Sequence, residues 1–130
     1  MTNENKNPFL EGEAIFAYSR KEALEDGVLV DVTNIAKQAG FRYPVAVTRA
    51  LWEDIKRIPS SQWSQDGDGR LWDVLWMGYI AIRRSNEASD TLRYQIVMHV
   101  GQRKFYTVKL VCGPGDEAEP VITLMRSDED

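Results

Sequence analysis

Thr91-Leu92-Arg93-Tyr94-Gln95-Ile96-Val97-Met98-His99-Val100 is the stretch whose period decides the fold. Leu92, Tyr94, Ile96, Met98 and Val100 alternate with Arg93, Gln95 and His99. A period of two puts one residue set on each face of a pleated strand. Gly101-Gln102-Arg103-Lys104 then supplies a hairpin loop. Beyond it, Tyr106, Val108, Leu110 and Cys112 share one face, with Phe105, Thr107 and Lys109 on the other. Gly113 to Glu117 is rich in turn residues, and Pro120 precedes a third apolar run, Val121 to Met125. The spacing predicts three consecutive antiparallel strands near 91–100, 104–112 and 120–126, a meander with one wet face.

Upstream the period is helical. Arg70 to Arg84 carries Leu71, Val74, Leu75, Gly78, Ala81 and Ile82 as one stripe, widened by Trp72, Trp76, Tyr79 and Ile80. Arg70, Asp73 and Arg84 mark its polar side. An apolar arc this wide suits a central core element or an interface. Before it, Val47, Leu51, Ile55 and Ile58 share a face of a second amphipathic helix, near 46–58, with Pro44 at its first turn and Pro59 after its end. Val45 to Val47 are also compatible with an extended start. Arg49, Glu53, Asp54, Lys56 and Arg57 fill its other side.

The first third reads as short elements. Ala14 to Tyr18 and Val28 to Val32 are candidate edge strands. Ser19 and Glu22 form a capping box, and Gly27 supplies a left-handed stop. Asp31 or Thr33 can cap another short helix, closed at Gly40. The expected architecture is α+β: a C-terminal three-stranded antiparallel meander packed against two main helices, preceded by short N-terminal strands and helices. The helices should cover the face bearing Tyr94, Ile96, Met98, Val108 and Leu110. Residues 1–13 read as a polar arm, 14–126 as one α+β domain and 127–130 as an acidic tail.

Composition narrows the chemistry. A chain of 130 residues, 43% hydrophobic, builds one core. Its net charge of −4 argues against nucleic-acid binding through bulk positive charge. One cysteine and one histidine leave no disulfide framework, no cysteine-based zinc site and no histidine pair. No apolar run approaches the roughly 20 residues of a membrane span, and the start lacks a signal-peptide core, so a cytoplasmic protein is expected.

Each candidate site has a plain structural alternative. Taking Ser64, Asp66 and Asp68 as the first three ligands of a calcium loop puts Leu75 where a bidentate Glu belongs, so the expectation is a turn and no metal. Gly67-Asp68-Gly69 and Gly113-Pro114-Gly115 lack the further residues of a phosphate loop. Cys112 lies on the core face and His99, by parity, on the other, so a Cys–His dyad is not expected. Trp63 sits in a polar loop, either folded back as a lid or presented as an anchor.

With Tyr18-Ser19-Arg20, the runs Glu25 to Val32 and Ala39 to Ala46, and Trp52, the first half of the chain resembles a small uncharacterised family. Gly69 to Met77, Cys112 to Glu117 and Glu119 to Thr123 resemble that family's other hallmarks. The family is a domain of unknown function carried by bacterial plasmids, phages and integrated elements, and the likeness spans about residues 14–126. The resemblance implies an accessory protein of a mobile element, and it brings neither catalytic residues nor a cofactor.

The resulting expectation is a non-enzymatic protein-binding module. Its contacts would come from Trp63, Asp66, Asp68, Arg70, Trp72 and Trp76. The partner would be a host protein, for instance a component of a defence system, or a second copy. The rival is a small enzyme with Glu53, Asp54, Asp66 and Asp68 gathered at the loop. A weaker third option is nucleic-acid contact through Arg42, Arg49, Lys56, Arg57, Arg83 and Arg84.

Overall fold

The computed structural model describes residues 18–57, 67–86 and 89–129. Four helices and five strands are placed among them: α1 (Arg20–Asp26), β1 (Leu29–Asp31), α2 (Thr33–Ala39), β2 (Val45–Thr48), α3 (Arg49–Lys56), α4 (Gly67–Arg84), β3 (Thr91–Val100), β4 (Arg103–Pro114) and β5 (Pro120–Arg126). The fold is α+β. The expected strand at Ala14–Tyr18 falls, apart from Tyr18, outside the described residues. Ile58, Trp63 and Asp66 also lie outside them.

The three C-terminal strands pair in succession, but they form only part of a five-stranded mixed sheet of order β1-β2-β5-β4-β3. The expected three-stranded sheet is corrected by β2, which runs parallel to β5, with Val45 opposite Ile122 and Val47 opposite Leu124. Residues 45–48 are therefore strand, and the helix expected from 46 begins at Arg49. The physical reason is burial. Val45, Ala46 and Val47 are at most 1% exposed, so both faces of this strand are covered, as a parallel strand requires. Pro44 stands outside the helix, and its carbonyl accepts the Ile122 N–H at 2.9 Å. Thr48 caps α3 by accepting the Leu51 N–H.

Local signals in the first third act as expected. The Ser19–Glu22 capping box closes on both sides, and Gly27 ends α1 with φ of +78°. Gly40 ends α2 with φ of +118°. The α2 start carries no side-chain cap at Val32; Asp31 instead accepts the Thr33 N–H at 3.0 Å. A long-range contact reinforces α1. Asp116, from the turn between β4 and β5, accepts the N–H groups of Arg20 and Lys21 at 2.7 and 3.0 Å. These bonds hold the Asp116 carboxyl below its ordinary pKa. Arg20 reaches the Thr123 hydroxyl and the Ile122 carbonyl, fixing α1 to β5.

Helices α2, α3 and α4 cover the face that carries Tyr94, Ile96, Met98, Val108 and Leu110, all buried. Gly78 lets α4 approach closely: a Cβ there would stand 2.8 Å from the Tyr94 hydroxyl, which donates to the Val74 carbonyl. The opposite face is not uniformly wet. Ala23, Val121 and Met125 are buried at the β5 end, whereas Val97 and Phe105 are each 59% exposed at the β3–β4 end.

A candidate binding face and a buried polar knot

One flank of α4 carries a ladder of rings. Trp72 and Trp76 lie four apart, hence on neighbouring turns, and their rings stack at 6.2 Å and 8°. Tyr79 continues the stack 5.8 Å from Trp76 and touches Phe41, beyond α2, at 6.4 Å. Gly40 permits this junction, because a Cβ there would overlap the Tyr79 ring. Trp72 packs against the core, while Trp76 is 42% exposed and Tyr43 stands exposed nearby in the chain's return from α2. Arg83 donates to the Tyr79 hydroxyl at 2.8 Å. The ladder leads into a cleft of about 550 Å³ lined by Phe41, Arg42, Tyr43, Tyr79, Ile82 and Arg83. Aromatic walls with two guanidinium groups at hand suit a partner that brings an apolar body and an acidic edge.

Arg70 is not part of that face. Expected on the polar side of its helix, it is 4% exposed and donates to the carbonyls of Arg57 at 2.8 Å, His99 at 2.7 Å and Asp54 at 3.3 Å. Burial lowers its pKa from the ordinary arginine value, yet a guanidinium stays charged. It ties the end of α3 to β3.

Asp54, also expected on a polar side, is buried beside it. Its carboxylate accepts the Tyr106 hydroxyl at 2.5 Å and lies 3.9 Å from Arg126. Burial, with Asp54 adding to it, pushes the Tyr106 pKa well above the ordinary phenol value. A phenol that holds its proton so firmly is a structural donor and a poor acid. The signal for Asp54 was available in the sequence: Leu51, Asp54, Ile55 and Ile58 follow the i, i+3, i+4, i+7 stripe. Arg70 likewise stands four before Val74 and eight before Gly78.

The proposed carboxylate gathering does not form among the described residues. Asp54 turns inward, Glu53 faces Arg49 at 3.7 Å, and Asp68 faces Lys56 at 3.6 Å with its side chain 92% exposed. Among the described residues no three His, Cys, Asp or Glu side chains gather as metal ligands. The six cations do not form one patch either. Arg42 and Arg83 line the main cleft, and Arg84 lies on the other flank of α4 beside Leu92 and Arg93. Cys112 is half-buried next to Ile82 and Leu110, at the opposite end of the β3–β4 ladder from His99. Among the described residues no helix is long and apolar enough to cross a membrane.

A family model matches residues 5–130. The chain belongs to DUF6573, a family of unknown function. No curated protein and no solved structure matches it. The match extends the sequence resemblance toward the N-terminus and supports an uncharacterised domain.

Proposed function

We propose that this is a non-enzymatic, cytoplasmic protein-binding accessory protein of a mobile genetic element, which acts by docking on a host protein. A component of a bacterial defence system is the partner class that suits such an element. The observation that carries the reading is the stacked Trp72–Trp76–Tyr79 ladder, in which Trp76 is exposed and Tyr79, stacked on it, lines the Arg42–Arg83 cleft. Large rings held rigid by their neighbours make efficient anchors, because little side-chain freedom is lost on binding. Asp68, exposed at the start of α4, stands ready for the rim of the same contact. The buried Arg70 does not.

The test is affinity capture from host lysate with wild type and two variants, Trp76→Ala and Arg83→Glu, followed by identification of retained proteins. A defined protein held by the wild type and released by both variants supports the reading. Equal retention by all three, or retention by none, overturns it.

A further inference from the structure

The open side of β3 is a second surface, independent of the aromatic ladder. β3 ends the sheet, and its register with β4 shows which backbone groups are left over. The Cys112 N–H bonds to the Asp90 carbonyl at 2.8 Å, so these two residues are a hydrogen-bonded pair, and Leu92↔Leu110, Tyr94↔Val108 and Ile96↔Tyr106 follow from it at steps of two. In an antiparallel ladder only alternate pairs exchange hydrogen bonds. The N–H and C=O groups of Thr91, Arg93, Gln95 and Val97 therefore point away from β4. Thr91 is satisfied locally, since Ser89 Oγ accepts its N–H and donates to its carbonyl. At the far end Arg70 satisfies the His99 carbonyl. Arg93, Gln95 and Val97 remain, with no backbone partner on that side among the described residues.

An edge of this length is ordinarily blunted. Here the register shift comes only after Val97, so the stretch Arg93–Val97 stays straight. We propose that a second copy of the chain pairs with it, β3 against β3, antiparallel about a two-fold axis through Gln95. That register sets Gln95 opposite Gln95 and Arg93 opposite Val97 of the second copy, so all three left-over residues find partners at once.

The side chains fit the same axis. From Thr91 to Gly115 the chain has no acidic residue, and Arg93 lies opposite Lys109, a like-charge pair that disfavours the isolated face. Pairing in any register that put Arg93 against Arg93 would worsen this. The axis at Gln95 instead runs Arg93 alongside Val97 and Phe105 of the second copy, where a guanidinium meets an exposed ring. Helix α4 adds to it. Ala81 and Arg84 border Leu92 and Arg93, so this flank of α4 overlooks the free edge, and Met77, one turn before Ala81, is 38% exposed. A two-fold axis makes the interface self-complementary and closed, so it yields a dimer and not a fibre.

Sedimentation equilibrium should give a mass near twice 14.9 kDa at about 100 µM, the range where a small edge-paired interface forms. Gln95→Pro removes an N–H that the folded monomer does not use, so folding should persist, while dimerisation should weaken about tenfold or more. Single cysteines placed at 93, 95 or 97 in a Cys112→Ser background report the register. Only Gln95→Cys brings two thiols within disulfide range, about 5.5 Å between Cα atoms, and should cross-link under mild oxidation. A protein that stays monomeric at several hundred µM overturns the proposal. A dimer indifferent to Gln95→Pro, or cross-linking equally at 93 and 95, also overturns it. A dimer dispersed by Trp76→Ala alone would assign self-association to the aromatic ladder instead.

Discussion

Arg70→Met separates the two readings of Arg70, as binding residue or as internal tie. Methionine keeps most of the stem volume and removes every donor. Three carbonyls lose a charged partner, but they are not equal. The Asp54 carbonyl also accepts the Arg57 N–H at 3.3 Å and keeps that partner. The Arg57 and His99 carbonyls lose bonds of 2.8 and 2.7 Å. Both carbonyls are part-buried, so water can replace the lost donor and each costs toward the low end of the roughly 1–3 kcal/mol of an orphaned acceptor, with relief from burying the guanidinium offsetting part of the total. The expected net loss is about 1–2 kcal/mol. With a urea slope of about 1.5–2 kcal/mol/M for a chain of this size, the midpoint should fall by about 0.5–1 M. The assay is urea unfolding followed by tryptophan fluorescence, in parallel with partner capture. Arg70→Lys, with one compact ammonium, should recover only part of the loss. A change below about 0.5 kcal/mol together with lost partner binding would refute the internal role and restore the sequence-based reading.

Three further outcomes follow from the same geometry. Leu75→Ala, at a fully buried position of α4, should cost about 2–5 kcal/mol in the same unfolding assay, whereas Trp76→Ala should cost only about 1 kcal/mol, mainly its ring contacts. Gly40→Ala should lower the melting temperature and alter near-UV circular dichroism, because a Cβ at positive φ would also displace the Tyr79 ring. The Asp116 carboxyl has its pKa depressed in the folded chain, so its contribution is present above the unfolded value and is lost as pH falls through the folded one. Acid titration below about pH 4 should therefore loosen α1 in wild type but not in Asp116→Asn, where a flat amide-exchange difference between the two would count against this cap.

The sequence by itself determined the elements whose causes are local. The capping box at Ser19 and Glu22, the glycine stops at 27 and 40, the period of two after Thr91 and the inward set of Tyr94, Ile96, Met98, Val108 and Leu110 are all local pattern. The separation of Cys112 from His99 was also expected, but the structure sets it by their opposite ends of the β3–β4 ladder, since the register shift between Val97 and Val100 interrupts the parity at His99. Only the tertiary structure decided where β2 goes. Val45 to Val47 fit the start of a helix equally well until β5, far along the chain, offers a parallel partner and both faces become buried. The same holds for Asp54 and Arg70. Their spacing placed them on the apolar stripes, but charge argued the opposite, and what resolved it was the arrival of Tyr106, Arg126 and the His99 carbonyl from distant strands. A charged side chain enters a core only where its partners converge, and convergence belongs to the fold, since no local window contains both halves of such a pair.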